Sequence, residues 1–193
     1  MKNKEKILQA GTRLFAEQGF EATSAKQITA EIGVTEPLIY YHFDGKDDLF
    51  SEILKSTFVN YHRRLDVIDK PADSQFEILE QLISLHFQFV KEFPYETYLI
   101  VSSCPAKLRE SSHICAKLIS EQGRRLERIV SGCLKKGMAS GEFRKVQLKA
   151  TSGLLIAMVN GLLRRRSLKQ ENIKGLEKAT IEFCRNALLV SGN

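Results

Sequence analysis

The sequence predicts an all-α protein of about nine helices, arranged as a short N-terminal unit followed by a longer helical body. Three observations predict it. Apolar residues recur at three- and four-residue spacing almost throughout, strand-like alternation with paired turn signals is absent, and glycine and proline fall where such helices must stop or start.

The first helix carries Ile7, Gly11, Leu14 and Phe15 on one face and stops at Gly19, a residue suited to a left-handed terminus. The second opens at Ser24, whose hydroxyl can cap backbone amides while Gln27 reaches back, and ends near Ile32-Gly33. A very short third helix starts at Thr35, has Pro37 in its first turn where a missing amide hydrogen costs nothing, and is broken by Asp44-Gly45. The fourth starts at Lys46, with Asp47 and Asp48 at its positive end, and buries Phe50, Ile53, Leu54, Thr57, Phe58 and Tyr61 along one stripe.

The loop Asp69-Lys70-Pro71-Ala72-Asp73 marks a boundary, giving an N-terminal unit at 1–64 and a body at 65–193. A fifth helix, Ser74 to Phe93, has two apolar faces, Leu79-Ile83-Phe87-Val90 and Ile78-Leu82-Leu85-Phe89, as a helix central to a bundle requires. Pro94 starts a short sixth helix. Pro105 precedes a long seventh that ends between Gly137 and Gly141, and two more follow at about 147–167 and 173–190.

Composition narrows the function. With 193 residues, 43% of them hydrophobic, the chain can bury a sizeable core. Cys104, Cys115, Cys133 and Cys184 are widely spaced within apolar helical patterns and read as buried thiols of a reducing cytosol. The basic start, Met1 to Lys6, leads into no apolar run, and stretches such as Gly153 to Val159 are far shorter than the roughly 20 residues that span a bilayer. A soluble, cytoplasmic protein with no membrane partner is expected. His42, His62, His86 and His113 lack paired ligand spacing, and the sequence has no nucleophile elbow, zincin helix, phosphate loop or dinucleotide fingerprint. Neither an enzyme nor a bound metal or cofactor is expected.

The net charge of +6 does not by itself locate a nucleic-acid surface: residues 1–64 carry nine basic and nine acidic residues, so the whole excess lies in the body. Position is more informative. Two helices joined across Glu31-Ile32-Gly33-Val34-Thr35, the second too short to be stable alone, match a helix-turn-helix at about residues 24–43. Ile28, Ile32, Val34, Ile39 and Phe43 can share a small core. Lys26, Gln27, Thr35, Glu36, Pro37, Tyr40 and Tyr41 are then left outside, a set of hydroxyls and aromatics suited to a docked partner.

Over residues 5 to 55, the run Gly19-Phe20-x-Ala22-Thr23-Ser24, Ile28-Thr29, Gly33-Val34-Thr35-Glu36-Pro37-Leu38-Ile39-Tyr40-Tyr41-His42-Phe43, then Lys46 and Leu49, resembles the signature of the tetracycline-repressor-like (TetR) family. The rest of the chain is similar to that family only in layout and length. The resemblance implies a ligand-released transcription regulator, normally a repressor, that binds a near-palindromic operator in double-stranded DNA as a homodimer. It further implies that Thr35, Glu36, Pro37 and Leu38 face base edges or nearby phosphates in the major groove, with Thr35 as the cap of that helix. Pro37 stands where many relatives carry Gly, and Leu38 either meets a thymine methyl or packs inward. Tyr40, Tyr41 and His42 match a phosphate-contacting cluster, with Ser24, Lys26 and Lys46 clamping the flanking backbone. A helical adaptor that keeps the fold without reading DNA is the alternative.

In the body, Gly153, Ala157 and Gly161 recur every four residues, and Leu176, Thr180, Phe183 and Ala187 follow a four-three-four pattern. These stripes suit a four-helix dimer interface, which the resemblance also implies, or complete the monomer core. For an unknown small-molecule effector, Phe58, His86, Phe87, Phe89, Phe93, Tyr95, Tyr98 and His113 are the candidate lining residues. Residues 107–149 hold eleven basic against four acidic residues, and Arg164-Arg165-Arg166 follows; this is a solvated face, or an attractor for an anionic effector or for DNA flanks. The fourth helix, starting beside the DNA contacts and ending against the body, is expected to act as a lever.

Overall fold

The computed structural model describes residues 3–68, 74–102, 105–108, 110, 113–169 and 174–190, with the backbone alone at 166–169. Nine α-helices occur among them: α1 Asn3–Gln18, α2 Ala25–Ile32, α3 Pro37–His42, α4 Lys46–Ile68, α5 Gln75–Glu92, α6 Pro94–Val101, α7 Ile114–Ser140, α8 Leu148–Lys169 and α9 Leu176–Leu188. The proposed boundary loop 69–73, Cys104, the Arg166 side chain and Ile173 lie outside the described residues. An isolated antiparallel bridge, Phe143 to Leu189, is the one extended pairing among the described residues.

Local chemistry sets the helix ends. Ser24 and Gln27 form the expected reciprocal cap: the Gln27 amide donates to Ser24 Oγ at 3.2 Å and the Ser24 amide to Gln27 Oε1 at 2.7 Å. Gly33, at φ +68°, closes α2 in the left-handed region, where a side chain would be strained. At α5, Ser74 Oγ accepts from the amides of Phe76 and Glu77. The Glu142 carboxylate takes the amides of Gln75 and Phe76 at 2.8 Å each, placing negative charge on a positive helix end.

Two boundaries differ from those read in the sequence, and a third agrees with it. Thr35 does not cap α3: its carbonyl accepts from the Leu38 amide, the cap position falls on Glu36, and no side chain bonds there. Pro105 leads into a 3-10 turn, Ala106–Leu108, rather than the long helix, which opens at Ile114 under His113, whose Nδ1 accepts from the Cys115 amide at 3.2 Å. Helix α7 ends at Gly141, within the stretch marked by the sequence, and the Phe143 ring folds back over the bare Cα of Gly137, where a Cβ would overlap the ring.

Two hydrophobic cores result, and α4 runs through both. Its first half, Leu49, Phe50, Ile53, Leu54 and Phe58, packs with Ile7, Phe15, Phe20, Ile28, Ile39 and Phe43 of α1 to α3. Its second half, Tyr61, Leu65 and Ile68, belongs to the larger core built on α5, α7, α8 and α9. Leu99, Leu108 and Cys115 of the body enter the N-terminal core. A fully buried aliphatic side chain contributes about 1.5–3 kcal/mol, whereas an exposed ion pair such as Lys107–Asp47 contributes about 0–1. The seam between the two parts is therefore held by packing, and α4 cannot shift at one end without disturbing the other. As expected, α5 is central: Phe76, Leu79, Leu82, Ile83, Leu85, His86, Phe87, Phe89 and Val90 are all buried.

Candidate nucleic-acid interface and effector cavity

The short helix α3 is held from beneath by Ile39, fully buried, and by Phe43 just beyond its end. Ile32, half-buried, packs on the same core, and Val34 is half-buried beside it in sequence. What this anchoring leaves outside is the set of residues singled out in the sequence. Ser24, Lys26, Gln27, Thr35, Glu36 and Pro37 are exposed, as are Tyr40 at 59% and Tyr41 at 80%. Leu38 and His42 are half-buried: Leu38 packs against the N-terminal core, and the His42 ring meets Tyr41 edge-on at 4.9 Å. Two phenols exposed side by side on a rigidly based helix are a poor use of apolar surface unless a partner covers them.

Lys46 is placed differently from a free clamp. Its ammonium donates to the Phe20 carbonyl at 2.8 Å and sits 4.4 Å from the centre of the Phe20 ring, tying the start of α4 to the α1–α2 turn. Arg13 does the same for the other side of the N-terminal unit, bonding Glu17 on α1 and Glu31 on α2. Its guanidinium pKa is raised, chiefly by the Glu31 hydrogen bond.

In the body, two chambers share His86, Leu126, Ile156 and Asn160. The wider, of about 140 Å³, is also lined by Phe58, Tyr61, Phe89, Thr97, Gln122 and Gly123. The narrower, of about 30 Å³, lies among Leu79, Leu82, Ile83, Val130, Val159 and Cys184. Among the described residues, no Lys, Arg, Asp or Glu lines either.

Hydrogen bonding fixes the polar groups in the wall. His86 Nδ1 lies 2.6 Å from the Leu82 carbonyl, so it carries the proton, and Nε2 accepts from the Tyr61 hydroxyl at 2.7 Å. Burial lowers the His86 pKa and raises that of Tyr61, so both are neutral. His62 Nε2 donates to Gln122 Oε1 at 2.5 Å, and Thr97 Oγ1 to the Phe93 carbonyl at 2.7 Å.

Of the eight residues read as effector contacts, Phe58, His86 and Phe89 line the wider chamber. The others do different work. Phe87 packs in the main core, and Phe93 lies against Phe89 under the Arg64 guanidinium. Tyr95 bonds Glu17, Tyr98 packs on the N-terminal core, and His113 caps α7. Sequence reading missed Gln122 and Asn160. The signal was present: each is a neutral amide on an apolar helical stripe, Gln122 between Ile119 and Leu126, Asn160 between Ile156 and Leu163.

Among the described residues, neither the basic residues of 107–149 nor Arg164 and Arg165 line either chamber; Arg125, whose charge reaches Tyr61, is paired with Asp66. Others are committed elsewhere: Lys107 pairs with Asp47, and Arg144 caps α9 through the Asn186 and Leu189 carbonyls. Burial pushes the thiol pKa of Cys133 up to about 12 and that of Cys184 to about 11, so neither is a nucleophile at neutral pH.

On the far side, Gly153, Ala157 and Gly161 of α8 are exposed, with open space above both glycines. Leu154 is 64% and Phe183 of α9 59% exposed, and Ala187 lies beside them. Leu176 is half-buried. Thr180 is turned inward, its hydroxyl on the Leu176 carbonyl at 2.8 Å, so it marks the inner margin of this face.

Residues 7–53 match the model of the family described as bacterial regulatory proteins, tetR family. The chain is 28% identical over 108 residues to the biofilm operon icaADBC HTH-type negative transcriptional regulator IcaR of Staphylococcus epidermidis, a match covering 54% of this chain. It spans only 56% of that curated relative's length. In fold it is similar to the ketosteroid transcriptional regulator KstR2 of Mycobacterium tuberculosis, with a TM-score of 0.81 at 16% identity over 98% of this chain and 96% of that one. It is also similar to the transcriptional regulator FadR of Bacillus subtilis in complex with stearoyl-CoA, with a TM-score of 0.70 at 20% identity over 93% and 96% of the two chains.

Proposed function

The chain belongs to the tetR family of bacterial regulatory proteins, and on that footing we propose that it is a sequence-specific DNA-binding transcription regulator, a cytoplasmic repressor released from its operator by a small-molecule effector. Residues 1–64 are the reader and 65–193 the effector-binding and dimerisation body. The observation that carries the reading is the exposure of Tyr40 and Tyr41 on a helix whose opposite side is fully anchored by Ile39. Phenol hydroxyls there, with Ser24, Lys26 and Thr35 around them, suit phosphate oxygens, while Glu36, Pro37 and Leu38 reach toward base edges.

The uncharged chambers between α4, α5, α6, α7 and α8 are the effector site in this reading, and a relative of the same fold holding stearoyl-CoA supports it. Because α4 carries Phe58 and Tyr61 at the chamber and Lys46 beside the reader, it serves as the lever. The open, small-residue face of α8 with Phe183 and Ala187 of α9 is the surface on which a second copy docks, presenting two readers to two half-sites.

Selection of bound duplexes from a random pool tests the reader. Wild-type protein should enrich a near-palindrome, and Tyr41→Ala, which removes only exposed surface, should weaken binding to it about fivefold or more. Absence of any enriched sequence at low salt favours the adaptor alternative instead.

A further inference from the structure

We infer that the effector is an uncharged, elongated, mainly apolar molecule with one carbonyl- or hydroxyl-type group, and that Asn160 at the junction of the two chambers recognises that group. The inference rests on the effector reading above.

Among the described residues the wall itself carries no charged side chain, and the nearest cation that acts on it, Arg125, is already paired with Asp66. An ionised head placed among Leu126, Ile156, Phe89 and a neutral His86 would lose its hydration and gain no partner, which weakens binding far more than a lost hydrogen bond does. Nor can the wall supply a charge by titration, since burial disfavours the charged form of His86 and Tyr61 alike.

Most polar wall groups are already bonded. His86 has both ring nitrogens occupied, the Tyr61 proton is on His86, the Thr97 proton is on Phe93, and the Gln122 carbonyl holds His62. Asn160 differs: among the described residues its carboxamide forms no hydrogen bond, and it lines both chambers. An amide has two donors and an acceptor, so it can meet a ligand carbonyl or hydroxyl without either side becoming charged. Beyond it the narrow chamber is almost wholly apolar, with Val130, Val159 and Cys184 at its walls, and accepts only a tail. The junction therefore orders the ligand, tail toward α9 and polar group beside α4 and α8.

The test uses the full chain and the uncharged fluorophore N-phenyl-1-naphthylamine as reporter. Methyl decanoate, ionised decanoate at pH 8 and decane are compared as competitors. Methyl decanoate should displace the reporter at a concentration at least about thirtyfold lower than decanoate does. Asn160→Leu, similar in volume, should weaken methyl decanoate about tenfold and leave decane within about twofold. Decanoate competing as well as the ester overturns the uncharged class. An ester unaffected by Asn160→Leu, or weakened only as much as decane, overturns the role of Asn160. The ester and acid comparison needs no variant and stands if Asn160→Leu fails to fold. A reporter that does not bind, and esters that leave the protein's thermal transition unchanged, would sink the effector reading and this inference with it.

Discussion

The Tyr95 hydroxyl donates to the Glu17 carboxylate at 2.8 Å, joining α6 of the body to α1 of the reader. Glu17 in turn holds Arg13, which holds Glu31 on α2, so a chain of polar contacts runs from the cavity-lining helix α6 to the helix-turn-helix. The sequence pointed to α4 alone as the link. Tyr95 and Glu17 stand 78 positions apart, and only the folded chain brings them together.

This contact is exposed, so it carries coupling more than stability. Tyr95→Phe is expected to lower Tm by no more than about 2–4 °C. It should also reduce the loss of operator affinity that a saturating effector produces, relative to wild type. Equal losses in both proteins would show that α4 transmits the signal without α6.

Phe183 is 59% exposed in the protomer and stands beside Ala187 on the outer face of α9. Phe183→Glu therefore should leave the helical signal intact, yet place a charge in the middle of the proposed docking face. Light scattering after size exclusion should give a mass near twice the chain's 21.9 kDa for wild type and near 21.9 kDa for the variant. A dimer that persists in Phe183→Glu moves the interface elsewhere.

Gly123 stands at the exposed mouth of the wider chamber, and a Cβ added there meets no atom within 4 Å. Replacing it inside α7 removes a weak helix former, worth about 0.5–1 kcal/mol. Gly123→Leu is thus expected to raise Tm slightly while its side chain obstructs the mouth, giving a regulator that stays on DNA when effector is added. Titration of effector against an operator-bound variant checks it; release at the wild-type concentration would place the entrance elsewhere.

Stability should fall with acid in two stages. His86 has its pKa held below the ordinary 6.5 by burial, so the unfolded chain takes up a proton that the folded one refuses, and stability declines as pH drops below that value. For Glu142, burial would raise the pKa, but hydrogen bonds from the Ser74 hydroxyl and the Phe76 and Gln75 amides outweigh it and set the net value below the ordinary 4.5. Its contribution is complete above that pKa and is lost as pH falls through the lower folded value. Thermal transitions from pH 8 to 3.5 should show both stages, and Glu142→Gln should flatten only the second. A wild-type Tm constant from pH 7.5 to 5.5 would mean that His86 titrates freely.

The candidate reader was largely legible in the chain because its signals are local. The Ser24–Gln27 cap, the Gly33 turn and the buried Ile28 and Ile39 are set by residues within a few positions of one another, where spacing is geometry. The same locality gave the central place of α5, whose apolar faces cover most of its circumference. Thr35 departs from that reading because its carbonyl, not its hydroxyl, makes the turn, and the use of the bare Cα of Gly137 is set by the Phe143 ring that folds over it.

The cavity is the clearest case of what the sequence left undecided. Aromatic content suggested eight contacts, but an amphipathic helix has several apolar positions and nothing in its own sequence says which of them faces a neighbour and which a void. Packing of α4, α5, α6, α7 and α8 turned Phe58, His86 and Phe89 toward one chamber and sent Tyr95, Tyr98 and His113 to the reader, the seam and a helix cap. By itself the sequence determined the helices and the reader, because backbone capping and periodic burial act over one or two turns. The cavity's charge, its shape and its route to the reader were decided only by tertiary structure, because each is a property of side chains that meet across five helices.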